Sequence, residues 1–170
     1  MNDTKPPQSM AHRAVQAFSN TSYRELGAWA SLIVTGFVYV PYFSWVLRRF
    51  LENRLEAGDL LGVFLGAVFS QIFFLVGIHI ALAIVLKDEP RDERDRIIEA
   101  KSSHLAYNIL SVASVVAAVW IVIGSVRFAG APEAMRFLHP IFLSQVFLFL
   151  CILAETARYL TQGICYRRGS

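Results

Sequence analysis

The chain has 170 residues, of which 55% are apolar and only 17% charged, with a formal net charge of +3. The charges sit in short blocks between long apolar runs that carry no polar face, so water is the wrong solvent for them and an ordinary soluble domain is excluded. The basic balance suits anionic lipid headgroups and not direct nucleic-acid binding, because no basic cluster is interleaved with exposed aromatics.

Residues 1–26 read as a polar N-terminal segment containing Pro6 and Pro7. It lacks the basic-then-apolar order of a cleavable signal peptide. Ser9 can cap a short amphipathic stretch, 10–18, lying on the membrane surface. Residues 27–170 read as four membrane-spanning helices, since about 20 apolar residues cross the hydrocarbon core. The first runs over 27–47, with a kink expected at Pro41. A helical continuation follows it and ends at Gly58, a natural C-cap. The second span covers 60–86, the third 105–126 and the fourth 137–162. A turn containing Gly130 and Pro132 joins the last two. Trp29, Tyr42, Trp45, Tyr159 and Tyr166 lie near segment ends, as interfacial aromatics do. The expected fold is an all-α four-transmembrane-helix bundle with short loops and a charged helical extension before the third helix.

Lys and Arg fix the expected orientation. Eleven of the sixteen fall on the side of the termini and the middle loop, and five on the other. The positive-inside rule therefore places both termini and the middle loop in the cytoplasm, although Arg48 and Arg49 after the first span pull the other way. Cys151 and Cys165 have no metal-type or C-x-x-C spacing, which argues against a disulfide framework or a redox motif.

The middle loop is the most distinctive stretch. Asp88 or Glu89 can cap a helix with Pro90 in its first turn, and that helix can run without a break into the third span. Arg91–Asp95 and Asp92–Arg96 fall at i,i+4 and can pair. The run is either a solvated helix extension or a docking surface for a soluble partner, centred on Asp92, Glu93 and Arg94. Asp92-Glu93-Arg94, then Ile97 or Ile98, then Lys101-Ser102 resembles the D-E-R-x-x-x-I-x-x-K segment of a group of small bacterial membrane proteins with the same four-helix plan. That group has no established chemistry to carry over. The resemblance covers about a dozen residues plus the helix layout, and some of those proteins are encoded beside small helix-turn-helix regulators. It implies a bacterial inner-membrane location and a soluble cytoplasmic regulator as partner.

Polar groups inside the spans are costly, so each is a candidate site. Gln71, Leu75 and His79 share one face of the second span. Gly58, Gly62, Gly66 and Ser70 form a small-residue stripe on the opposite side, suited to close helix packing within the bundle or in a homo-oligomer. His104, Asn108, Ser111, Val115, Ala118 and Ser125 line one stripe of the third span. Ser144, Cys151, Glu155, Arg158 and Gln162 line one of the fourth. With the middle loop cytoplasmic, His79, His104, Asn108 and Glu155 all lie in the same half of the bilayer. With Arg158 they could bind a metal or an anionic ligand or relay a proton. Ordinary interhelical hydrogen bonding is the competing reading, with Glu155 satisfied by Arg158 at i,i+3. His139, before Pro140, reads as an interfacial or turn residue.

No H-E-x-x-H, G-x-S-x-G or phosphate loop occurs. Haem between helices needs facing histidines at matched depth, thiol oxidation needs cysteine pairs, and a small drug exporter usually has a carboxylate in its first span. The sequence thus assigns no cofactor, and whether a metal binds is left open. The leading expectation is a non-catalytic membrane protein that senses, anchors or regulates through its cytoplasmic face. The alternatives are a small oligomeric transporter or channel with a polar path through His79, Asn108 and Glu155, and a metal- or haem-binding redox protein.

Overall fold

The computed structural model describes residues 23–86, 92–127 and 136–168. Four long helices follow one another: α1 Tyr23–Leu51, α2 Ala57–Val85, α3 Glu93–Arg127 and α4 Pro140–Arg168. All four are long and apolar enough to cross a membrane. At 29 residues, α1, α2 and α4 are each about 43 Å long, and the 35-residue α3 is about 52 Å, against a hydrocarbon core of about 30 Å. The chain is a multi-pass membrane protein built as an all-α four-helix bundle. The expected surface segment 10–18, the Asp88, Glu89 and Pro90 helix start, the Arg91–Asp95 pair and the turn at 129–133 lie outside the described residues.

The helix ends show why each element stops where it does. α1 does not continue to Gly58. It closes at Asn53, whose φ of 57° is the left-handed conformation that Asn tolerates better than other non-glycine residues. The Asn53 N–H donates to the Phe50 carbonyl at 3.2 Å and the Arg54 N–H to the Arg49 carbonyl at 2.9 Å. These are the paired 5→2 and 6→1 bonds of a Schellman closure. Gly58 instead sits in the first turn of α2. Beside the closure, the exposed Arg48 guanidinium binds Glu52 at 3.0 Å and holds that carboxyl below its ordinary range. A 3-10 turn, Arg136–Leu138, precedes α4. The helix then opens on Pro140, whose missing N–H is harmless at a first position. The His139 ring accepts from the Ile141 N–H at 3.3 Å.

α1 is the hub. It packs on α2 and on α4, and α4 packs in turn on α3, so the helices lie in the order α2, α1, α4, α3. Ten residues of α1 are buried and one of α2, Leu60. The shared core is Val34, Val38, Tyr39, Tyr42 and Val46 of α1 with Leu60, joined by Phe64 and Ala67 of α2 and by Ile141, Leu148 and Ile152 of α4. At one end Phe50 stacks on Phe142 with ring centroids 4.3 Å apart. At the other, the indole of Trp29 lies directly on Gly163 of α4, where a Cβ would come within 2.7 Å of the ring.

The α2 stripe behaves differently from the expected close contact inside the bundle. A Cβ at Gly58, Gly62 or Gly66 would meet open space, and Ser70 is exposed. The physical reason is that α2 packs mainly on α1, which takes the face carrying Leu60, Gln71 and His79. Glycine therefore matters at Gly163 and not at Gly62 for the protomer. Gly163→Leu should lower the thermal unfolding midpoint in detergent clearly, and Gly62→Leu should leave it unchanged. Equal melting of the two variants would refute this assignment.

Candidate functional site

Polar side chains join the helices pairwise along α1. Ser31 Oγ and His79 Nε2 of α2 lie 3.4 Å apart. One turn on, Gln71 Nε2 donates to Thr35 Oγ1 at 3.0 Å. Two turns further, the Tyr42 hydroxyl donates to Gln145 Oε1 of α4 at 2.6 Å, both residues being buried. Such bonds are the specific glue of a membrane bundle, because lipid cannot replace them. Gln71 and His79 do share the face read from the sequence, and that face is turned to α1.

A second polar group forms where α1 begins, α3 begins and α4 ends. Arg24 Nε of α1 lies 3.1 Å from Asp95 Oδ2 of α3, and its Nη1 lies 3.7 Å from Glu99 Oε1. The Arg24 and Asp95 side chains are 16% and 15% exposed, so the pair is shielded more than an ordinary surface ion pair. From α3, Arg94 Nη2 reaches the Tyr166 carbonyl in the last turn of α4 at 3.5 Å, where a cation also suits the helix dipole. Asp92 caps α3: its carboxylate accepts from the Asp95 N–H at 2.7 Å, and its own N–H donates to Asp95 Oδ2 at 3.2 Å. This reciprocal arrangement is a capping box built from two aspartates. Beneath it Ile98 and Ser102 are completely enclosed. The extension before the third span is therefore packed on the bundle along one face. Its other face exposes Glu93, Arg96 and Lys101.

The remaining expected site residues are not gathered into one place. His104 and Asn108 are exposed on α3 and bond to each other, Asn108 Nδ2 donating to His104 Nδ1 at 3.1 Å. Glu155 lies 2.8 Å from Arg158 one turn on. Arg158 also donates to the Tyr159 hydroxyl at 3.3 Å and lies over its ring. Among the described residues no group of three His, Cys, Asp or Glu side chains could hold a metal ion. Three helices therefore do not bring His79, Asn108 and Glu155 together as the shared-depth argument expects. Equal depth fixes height but not direction: His79 faces Ser31 of α1, Asn108 is exposed on α3, and Glu155 pairs with Arg158 of its own helix. No protein-family model, curated protein or solved structure matches the chain.

Sequence reading missed Arg24 as a clamp and Ser31, Thr35, Tyr42 and Gln145 as bundle contacts. Ser31 and Thr35 stand at i,i+4 and could have been recognised as a polar stripe in the first span; nothing local marks Arg24. Two consequences can be measured. Tyr42→Phe should destabilise the bundle by about 1–3 kcal/mol, because it leaves a buried Gln145 acceptor unpaired. Unchanged unfolding in detergent would contradict this. His79→Ala and Glu155→Gln share no partner, so their effects on stability should add to within about 0.5 kcal/mol. A larger coupling energy in the double mutant would return the two residues to a common site.

Proposed function

We infer that this protein is a non-catalytic regulator or anchor of the bacterial inner membrane, acting through a cytoplasmic face at the start of α3. The observation that carries this reading is the Arg24 clamp. Together with Arg94 on the Tyr166 carbonyl, it fixes a charged helical segment to α1 and α4, with Glu93, Arg96 and Lys101 turned outward. A pre-ordered charged surface pays little entropy on binding, which is what a docking platform needs. The charge asymmetry of eleven to five supports placing that face and both termini in the cytoplasm. The partner it suits is a soluble protein with its own mixed-charge face.

The pairing of intramembrane polar groups favours this reading over a transport path. Ser31 with His79, Thr35 with Gln71, and Tyr42 with Gln145 are bonded across helix seams, and Glu155 is neutralised by Arg158. A conduction path needs such groups facing a common space.

Tagged protein isolated from native membranes should retain a soluble partner that is lost on combined Glu93→Lys and Arg96→Glu reversal, with bundle melting unchanged. A partner retained equally by the reversal variant, or ion flux in liposomes abolished by Glu155→Gln, would overturn the reading. In intact cells, a cysteine introduced at Glu93 should resist an impermeant thiol reagent and react after the membrane is opened. Labelling before opening would reverse the topology.

A further inference from the structure

The outward face of α3 carries a pattern that the protomer does not use. His104, Asn108, Ser111, Val115, Ala118 and Val122 follow one another at alternating steps of four and three residues, and Ser125 continues the series. A strict seven-residue repeat is the spacing of a helix seam that meets another helix along its length. Ser111 is half-buried and the other members are exposed, with Val115 at 64% and Val122 at 63%. The opposite face, through Ile98, Ser102, Ala106 and Ala117, is the one buried on the protomer's own bundle.

Two further observations say that lipid is the wrong cover for this stripe. Asn108 lies inside the apolar run between Lys101 and Arg127, and it bonds only to His104 on its own helix. Its carbonyl oxygen and second N–H find no partner among the described residues, and hydrocarbon offers none. The same line of residues also continues out of the span through the exposed Lys101 to Ile97, which is 48% exposed on the charged extension. There an apolar side chain meets water, while further along a carboxamide meets lipid. One occupant removes both mismatches.

We propose that this occupant is a second copy of the chain, pairing α3 with α3 about a two-fold axis along the membrane normal. Copies of a multi-pass protein share one orientation in the bilayer, so the two α3 helices run parallel and the contact is self-complementary. In that register Asn108 takes the core position at which a single Asn favours a parallel pair. Each of the two carboxamides can donate to and accept from the other. Ser111 and Ala118 are small enough for close approach, and Ile97 meets its counterpart beyond the membrane. This inference does not depend on the proposed regulatory role.

The test is cysteine cross-linking in native membranes, in a background of Cys151→Ser and Cys165→Ser. Val115→Cys should give a disulfide-linked dimer on oxidation. Val116→Cys, equally exposed at 62% but off the stripe, should not. Asn108→Val should lose the dimer in the Val115→Cys background. Its protomer should keep its helix content and melting, since Asn108 is exposed and hydrogen-bonds only within its own helix. The proposal fails if Val116→Cys cross-links as well as Val115→Cys, or if neither links. It also fails if Asn108→Val leaves the dimer intact, or if Gly62→Cys on α2 links in place of Val115→Cys.

Discussion

Lipid tails are as apolar as leucine, so in a bilayer apolar contact alone does not choose which helices become neighbours. Polar groups do, because hydrocarbon leaves them unsatisfied. Here that requirement falls on α1. Its buried face mixes Val34, Val38 and Val46 with Ser31, Thr35 and Tyr42, and the polar members reach His79, Gln71 and Gln145 on two different helices. The central place of α1 follows from this. The most continuously apolar helix, α2, buries only Leu60, packs one face on α1 and shows the other outward, which would be untenable in water and is ordinary in lipid.

The two ends of the bundle are held by different means. At the end where α1 stops, the chain turns by backbone hydrogen bonding at Asn53 and is backed by the stacked Phe50 and Phe142 rings. At the end where α1 starts, charge does the work: Arg24 bridges to Asp95 and Glu99, and Arg94 reaches the last carbonyls of α4. Ordinary surface ion pairs contribute little singly, about 0–1 kcal/mol, and the Arg24–Asp95 pair, 16% and 15% exposed, is better shielded than those. The enclosed Ile98 and Ser102 beneath the charges also fix the extension against the bundle. A packed inner face with a charged outer face makes the start of α3 a surface and not a tether.

The sequence by itself determined the helices. Their number, their approximate spans and the unbroken run of the charged extension into α3 all follow from the length and polarity of each segment, which are local quantities. It also marked the residues that needed an explanation, because a polar group in an apolar run is visible one residue at a time. Where two local signals compete, the reading slipped: Gly58 looked like the stop of α1, and Asn53, five residues earlier, is the stop. Only the tertiary structure decided direction. A stripe on a helix states which residues point the same way, but not whether they point at a neighbour or away from the bundle. His79 turns to Ser31, Asn108 turns outward, Glu155 turns to Arg158, and the glycines of α2 meet open space. Those outcomes depend on which helix stands beside which, an order set by contacts such as Tyr42 with Gln145 that join residues about a hundred positions apart. No property of either residue's own segment encodes the other, so neither the clamp at Arg24 nor the separation of the polar groups could be read before the helices were assembled.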